Sequence, residues 1–131
     1  MSIEAITAKL LDQPSIKAIV GTRISLGQRP ANGSYPALVY QAVESEPILR
    51  MGPPDQRELR KSRVQVTVLA VDAPAAVNLR ETVQGALRYM RGDMAGHLVV
   101  DVIEGPATGT DKDNDAGVWF TTADFHVTWY V

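Results

Sequence analysis

The sequence contains no cysteine, and this absence excludes several kinds of chemistry at once. Disulfide bonds, thiolate catalysis and cysteine-based metal centres are all ruled out. The fold must therefore be held together by its apolar core. With 131 residues, of which 45% are hydrophobic, the chain is long enough for one core, since a chain of roughly 150 residues buries about two-thirds of its unfolded surface.

A long apolar run is also missing. No stretch approaches the roughly 20 apolar residues that a transmembrane helix needs. The N-terminal segment carries Glu4 and Lys9 and has no apolar centre of the kind found in signal peptides. We therefore expect no membrane association, and we expect the chain to be made and used in the cytosol or in a particle assembled there.

The chain has no basic excess, because its formal net charge is −2. This balance disfavours tight nucleic-acid binding. The charge is unevenly divided: residues 91–131 hold two basic and seven acidic side chains, a sum of −5, which leaves +3 for residues 1–90. Such an asymmetry favours contact between opposite ends of like subunits.

Sequence signatures of catalysis are lacking as well. The two histidines, His97 and His126, have no zinc-site spacing and no acid–base partner placed by the sequence. Neither a phosphate-binding loop nor a Gly-x-Ser-x-Gly motif occurs. The acidic run Asp111–Asp115 is similar to a calcium loop, but Ala116 and Thr122 stand where that loop needs glycine and glutamate. We expect no catalytic residue, no cofactor and no specific metal site, and weak binding of a divalent ion at the acidic run is left open.

Helical periodicity is found in two segments. The first begins at Ser2 and ends before Pro14, with one further turn from Ser15 to Val20. In the second, Asp72 is predicted to cap the helix, and Gly85 is interpreted as a point of close packing on a sheet. Its apolar stripe has helical spacing and consists of Ala76, Leu79, Val83, Ala86, Leu87 and Met90.

Five segments have the pattern of strands. Arg63–Val71 and Val118–Val131 alternate between apolar and polar residues, which is typical of a strand with one buried face. The other three predicted strands are Thr22–Leu26, Ala37–Glu44 and His97–Glu104. Two long loops are predicted between strands, at residues 45–62 and 105–117.

The element order α-β-β-β-α-β-β predicts the α+β class. We expect one domain over residues 1–131, with a single antiparallel or mixed sheet of four to five strands and two helices packed on one face.

Two stretches carry a family resemblance: IVGTRISLGQRPANGSYPALVYQAV at 19–43 and RVQVTVLAVDAPAAVNLRETVQGAL at 63–87. Their features are a Gly-x-Arg-Ile step after the first helix, a proline before the second strand, and an alternating strand that leads through an Asp-Ala turn into an alanine-rich helix. The residues concerned are Gly21, Arg23, Ile24, Pro36, Asp72 and Ala73. In these features the chain resembles the tail-completion, or tail-terminator, family of long-tailed bacteriophages and prophages over nearly its whole length. The segment 105–117 is longer and more acidic than that pattern.

The resemblance implies a structural role without catalysis. Such proteins close the head-proximal end of a finished tail tube as a six-fold ring, which ends tube growth and allows the head to join. The implied partners are further copies of the chain, the tail tube protein and a head connector or neck protein, and DNA passes through the ring only as transient cargo. The implied location is the virion, after assembly in the host cytoplasm.

A closed ring needs heterologous contacts, in which one patch of a subunit meets a different patch of the next. We hypothesise that a basic loop meets an acidic loop in this contact. The residues are Arg50, Arg57, Arg60 and Lys61 on the basic side and Asp111, Asp113 and Asp115 on the acidic side. The basic loop has two other interpretations, a merely solvated surface and a nucleic-acid contact.

Two other functions remain alternatives. A small intracellular α+β ligand-binding or enzymatic domain would have a concave pocket with convergent polar groups and perturbed ionisable residues. A nucleic-acid-binding module would bind with salt-sensitive affinity, which a pI near 5.6 disfavours.

Overall fold

A computed structural model describes residues 2–28, 34–48, 58–114 and 117–131. Within these ranges the chain forms three helices and seven strands. The helices are α1 (Ser2–Leu11), α2 (Pro14–Val20) and α3 (Ala73–Leu87). The strands are β1 (Ile24–Leu26), β2 (Ala37–Pro47), β3 (Leu59–Ala70), β4 (Gly92–Met94), β5 (His97–Ala107), β6 (Asp111–Asp113) and β7 (Val118–Tyr130). None of these helices is long and apolar enough to cross a membrane.

The prediction of two helices is wrong, because the single turn expected after Pro14 is a separate helix. Proline suits the first position of α2, where its missing N–H has no helical acceptor in any case. Gly21 ends α2 with a positive φ of 59°, and its N–H donates to the Lys17 carbonyl at 2.9 Å. A positive φ is open to glycine at little cost, so the residue type fixes this end.

The prediction for α3 is largely confirmed. The Asp72 carboxylate accepts a hydrogen bond from the Ala75 N–H at 2.8 Å, so it caps the helix as expected. The buried residues of α3 belong to the predicted stripe, namely Ala76, Leu79, Val83 and Leu87. The interpretation of Gly85 is wrong, because this residue is exposed and no atom lies within 4 Å of the point where a Cβ would stand.

All seven strands belong to one sheet in the order β1-β2-β3-β7-β5-β4, with β6 also paired to β7. β1 runs parallel to β2, and the other pairs are antiparallel. The α+β class and the mixed sheet are therefore confirmed, but the expected four to five strands are too few. The two strands that had no prediction, β4 and β6, have three residues each, which is too short for an alternating pattern to be recognised.

The two predicted loops are shorter than expected, because strands extend into both. β2 continues to Pro47 and β3 begins at Leu59, so these strands still pair within 45–62. β5 runs to Ala107 and β6 lies wholly within 105–117. These extensions show no clear alternation of apolar and polar residues, so sequence alone indicated loop. Residues 49–57 and 115–116 of the two loops lie outside the described residues.

The sheet has a covered face and an open face. The covered face packs against the helices, and its side chains join theirs in the hydrophobic core. From β2, β3 and β7 it contributes Leu38, Tyr40, Val64, Val66, Val68, Ala70, Ala123, Phe125, Val127 and Trp129. The open face carries the alternate residues of the same strands, among them Gln41, Gln65, Thr67, Thr122, Asp124, His126 and Thr128.

Candidate assembly surfaces

The central strand β7 separates the two charged groups that the sequence predicts to form an interface. Lys61 of β3 pairs with Thr128 near the end of β7, whereas Asp111 of β6 pairs with Phe120 near its beginning. These partners are eight residues apart in β7, which corresponds to roughly 26 Å of extended strand. Lys61 and Asp111 therefore do not meet within one subunit.

The predicted interface residues do not all share a side of the sheet. Lys61, Asp111 and Asp113 lie on the open face by their strand register. Arg60 lies on the other side, where its guanidinium bonds Glu58 at 2.9 Å and Ser45 at 3.2 Å. The other three predicted residues, Arg50, Arg57 and Asp115, lie outside the described residues.

The end of the sheet that carries Lys61 has mixed charge. Glu46 is the cross-strand partner of Lys61, and Glu58 neutralises Arg60. These two pairs balance in charge, and Arg50 and Arg57 lie outside the described residues.

A chain of buried hydrogen bonds fixes this same end. The Trp129 indole N–H donates to the Ser62 hydroxyl at 2.9 Å, and Ser62 donates to Ser45 at 2.9 Å. The His97 ring stands edge-on to Trp129 at 5.3 Å between centroids, and its Nδ1 is 3.1 Å from the Tyr130 carbonyl. His97 thus has a packing role, and the strand ends are held in a defined position.

The opposite end is acidic on the open face. Asp111 and Asp113 are both exposed there. Lys112 between them lies on the other side, 6.0 Å from the centre of the Trp119 ring, where a cation–π contact is favourable. Its charge is therefore directed away from the two carboxylates.

The open face contains an ion pair that the sequence did not predict. Both contacting nitrogens of Arg63, Nη2 at 2.6 Å and Nε at 3.2 Å, donate to the Asp124 Oδ2 atom. The hydrogen bond and the negative charge of Asp124 raise the pKa of Arg63 above its usual range. Asp124 is only 7% exposed, although its face of the sheet carries no helices. Among the described residues, its Oδ1 atom has no hydrogen-bond partner.

The opposite charges and the alternating pattern of these two strands could have suggested the pair, but only the strand register shows that Arg63 and Asp124 approach each other. The two residues are diagonal neighbours on the open face, since Arg63 pairs with His126 and Gln65 pairs with Asp124. Gly105 of β5 contributes to the burial, because a Cβ built on it would lie 3.1 Å from the Asp124 Cβ.

A shallow cavity of about 270 Å³ bears on the ligand-binding alternative. Its lining includes Asp12, Lys17 and Tyr40. Lys17 bonds Asp12 at 2.7 Å, and both side chains are about half exposed. The hydrogen bond and charge of Lys17 lower the pKa of Asp12, so this carboxylate stays ionised. A surface ion pair of this kind does not provide a group poised for proton transfer near neutral pH.

No group of three His, Asp or Glu side chains that could hold a metal ion occurs in the ranges that the structure describes. The exposed carboxylates of Asp111 and Asp113 therefore do not form part of a three-ligand cluster there.

Comparison with known proteins gives one family and a set of related folds. A model of the family described as tail completion protein gp17 matches residues 4–130. A search of curated proteins finds no significant match. A chain from the virion of a native gene transfer agent particle is 12% identical, with a TM-score of 0.71 over 98% of this chain and 93% of that one. A second solved chain is 16% identical, with a TM-score of 0.56 over 97% of this chain and 96% of its own. At such identities the two structures establish a shared fold and nothing more.

Proposed function

The chain belongs to the tail completion protein gp17 family, a family of structural proteins of the phage tail, and we propose that it closes the head-proximal end of the tail tube as a ring. In this role it ends tube growth and offers the surface to which the head joins. The observation that carries the proposal is the family match, which spans residues 4–130 and thus nearly the whole chain. The chain acts as one tail-completion domain and catalyses no reaction.

The arrangement of charges supports a ring of like subunits. A closed ring uses two different patches of each subunit, and a six-fold ring repeats one such contact six times. The acidic group of Asp111 and Asp113 and the end that carries Lys61 lie at opposite ends of β7. Groups that lie so far apart within one subunit can meet between neighbours. Arg50, Arg57, Arg60 and Asp115 remain part of this hypothesis through their sequence positions.

The partners follow from the position in the particle. One side of the ring contacts the last ring of the tail tube protein, and the other contacts the head connector or a neck protein. DNA crosses the ring as cargo, and a neutral or acidic bore prevents it from binding tightly. The protein is made in the host cytoplasm and ends in the virion.

Electron microscopy of lysates tests the role directly. The source phage or prophage is grown with this gene disrupted, and the wild-type gene supplied in trans is the control. Filled heads beside unattached tails of irregular length are expected. Normal joined particles from the disrupted strain would refute the proposed function.

Charge reversal tests the contact itself. Lys61→Glu places a negative charge next to the neighbour's acidic group, so ring formation on tails should weaken. Lys17→Glu is the matched control, since Lys17 lies on α2 in a surface pair with Asp12. A single exposed ion pair contributes only about 0–1 kcal/mol. A measurable loss of ring formation is therefore expected only because the same contact is repeated around the ring. Equal incorporation of both variants into tails would exclude Lys61 from the contact.

A further inference from the structure

Much of β5 lies at an edge of the sheet. Its inner neighbour is β7, and its outer neighbour β4 pairs only with residues 97–99. Residues 100–107 therefore border the sheet within the part of the chain that the structure describes, and this stretch is as long as an ordinary strand. An edge strand presents backbone N–H and C=O groups with which a strand of another molecule can pair. We call residues 100–107 the β5 edge.

The backbone groups of Val102 are both bonded on the outer side of this edge. The Val102 N–H donates to the Asp101 Oδ1 atom at 2.9 Å. The Val102 carbonyl accepts a hydrogen bond from the Tyr89 N–H at 2.8 Å. An incoming strand therefore finds the donor of Val102 already used and the Tyr89 backbone in front of its carbonyl.

Tyr89 reaches the edge in an unusual backbone conformation. It follows Arg88, the C-cap of α3, and has a φ of 62°. A positive φ is uncommon for a residue other than glycine, because Cβ then crowds the backbone oxygens. Tyr89 is 67% exposed, so burial of its ring does not account for the conformation. Such strain persists where the surrounding structure fixes it, and the hydrogen bond to Val102 does so here.

The next outward position of the edge is Glu104, because outward-directed backbone groups recur at every second residue of an antiparallel strand. The Arg88 Nη2 atom donates to the Glu104 Oε1 atom at 2.7 Å. The guanidinium of Arg88 is thereby held beside the edge. Arg88 and Tyr89 are consecutive, so one turn after α3 covers two outward positions of β5.

The regular ladder between β5 and β7 is interrupted on both sides of these positions. One shift of register lies between Val99 and Asp101, and the other lies between Glu104 and Ala107. Pro106, within the second shift, has no N–H to donate. Irregularities of this kind make an edge a poor template for another strand.

We propose that Asp101, Arg88 and the backbone of Tyr89 close the β5 edge, so that two copies of this chain do not join their sheets through it. Pairing of two identical edges in antiparallel orientation is self-complementary and ends in a two-fold dimer. Such a dimer would withdraw subunits from any larger assembly. The inference concerns the free chain and does not depend on the proposed ring.

Amide hydrogen exchange tests the closing hydrogen bond. Asp101→Ala removes the acceptor of the Val102 N–H, whereas Asp101→Asn keeps a side-chain oxygen at the same position. At low protein concentration, the Val102 amide should exchange about tenfold faster in Asp101→Ala than in the wild type. It should exchange at nearly the wild-type rate in Asp101→Asn. Equal rates in Asp101→Ala and the wild type would overturn the proposal.

Sedimentation velocity over a series of protein concentrations tests the consequence for association. The double variant Arg88→Ala, Asp101→Ala removes two closing side chains without changing the net charge. Its matched control is Asp12→Ala, Lys17→Ala, which removes a surface ion pair and also keeps the net charge. The apparent dissociation constant for self-association should fall about tenfold or more in the first variant and stay near the wild-type value in the control. Equal association of the two double variants would refute the proposal.

Exchange at high protein concentration identifies the surface through which the opened variant associates. Its Val102 amide should become protected again, because pairing through β5 supplies a new acceptor. Association that leaves this amide unprotected would place the contact elsewhere and contradict the proposal. Circular dichroism shows whether each variant is folded, and if the double variant is not, the exchange rates of Asp101→Ala alone decide the matter. All of these measurements use the purified chain, so a negative result leaves the proposed role in the tail standing.

Discussion

The covered and open faces of the sheet are made by the same strands, and they differ in what their side chains contact. Along β3, Val64, Val66 and Val68 are fully or almost fully buried beneath the helices, while Gln65 and Thr67 between them are only half-buried. Side-chain direction alternates along a strand, so the same strand contributes apolar residues to one face and polar residues to the other. The covered face supplies residues of the hydrophobic core, and the open face carries the polar and charged residues of the same strands.

The largest expected difference in stability between the two faces comes from a pair of substitutions on β7. Phe125 on the covered face is fully buried, and Phe125→Ala should lower the free energy of unfolding by about 3–5 kcal/mol, because the cavity adds to the lost apolar transfer. Thr128 on the open face faces Lys61, and Thr128→Ala should cost less than about 1 kcal/mol. Urea denaturation measures both. Similar losses from the two variants would mean that the open face also carries the fold.

The pattern of alternation explains which parts of the fold could be predicted from sequence. β3, β7 and α3 have long, regular periods, and Asp72 adds a capping signal, so their presence and buried sides were predicted correctly. β4 and β6 are too short to show a period. The polar ends of β2 and β5 become strands through their pairing with β3 and β7, and a sequence pattern does not contain that pairing.

Prediction of the candidate surfaces depends on the strand register even more than prediction of the fold does. Sequence named Lys61 and Asp111 as partners across an interface, but only the topology places them at opposite ends of β7. It also places Arg60 on the side of the sheet opposite to Lys61, where it is bound to Glu58.

The next test concerns the closely packed surroundings of Asp124 on the open face. A Cβ at Gly105 would lie 3.1 Å from the Asp124 Cβ, and Arg63 holds the Asp124 carboxylate at 2.6 Å, so the side chain cannot move away freely. Gly105→Ala should therefore destabilise the protein by about 1–3 kcal/mol. Gly109→Ala is the matched control, since nothing lies within 4 Å of its Cβ position. Thermal or urea unfolding that shows no difference between these variants would indicate that Asp124 adjusts easily.

A smaller effect of opposite sign is expected on the outer side of the helix layer. Gly85 lies within α3, is exposed, and has open space where a Cβ would stand. Gly85→Ala should stabilise the protein by about 0.5–1 kcal/mol, because alanine loses less backbone entropy in a helix. A gain in stability from this substitution would show that α3 contributes to the core through its inner side only. A loss of stability in urea denaturation would mean that the outer side of α3 is packed after all.

The smallest expected effect on stability concerns Tyr40 on the covered face, and it appears only at alkaline pH. Burial, and then the negative charge of Glu4, raise the pKa of the Tyr40 phenol above its ordinary value of 10.0. Below that value the phenol is neutral in both folded and unfolded chains, so it gives no pH dependence. Above it the unfolded chain ionises first, so stability falls as the pH rises. Tyr40→Phe removes this linkage, and its free energy of unfolding should fall less steeply than that of the wild type above about pH 10. Urea denaturation across that range measures the free energy of unfolding of both variants as a function of pH. Parallel curves would mean that the phenol is as exposed to solvent in the folded protein as in the unfolded chain. Tyr40 would then not belong to the buried part of the covered face.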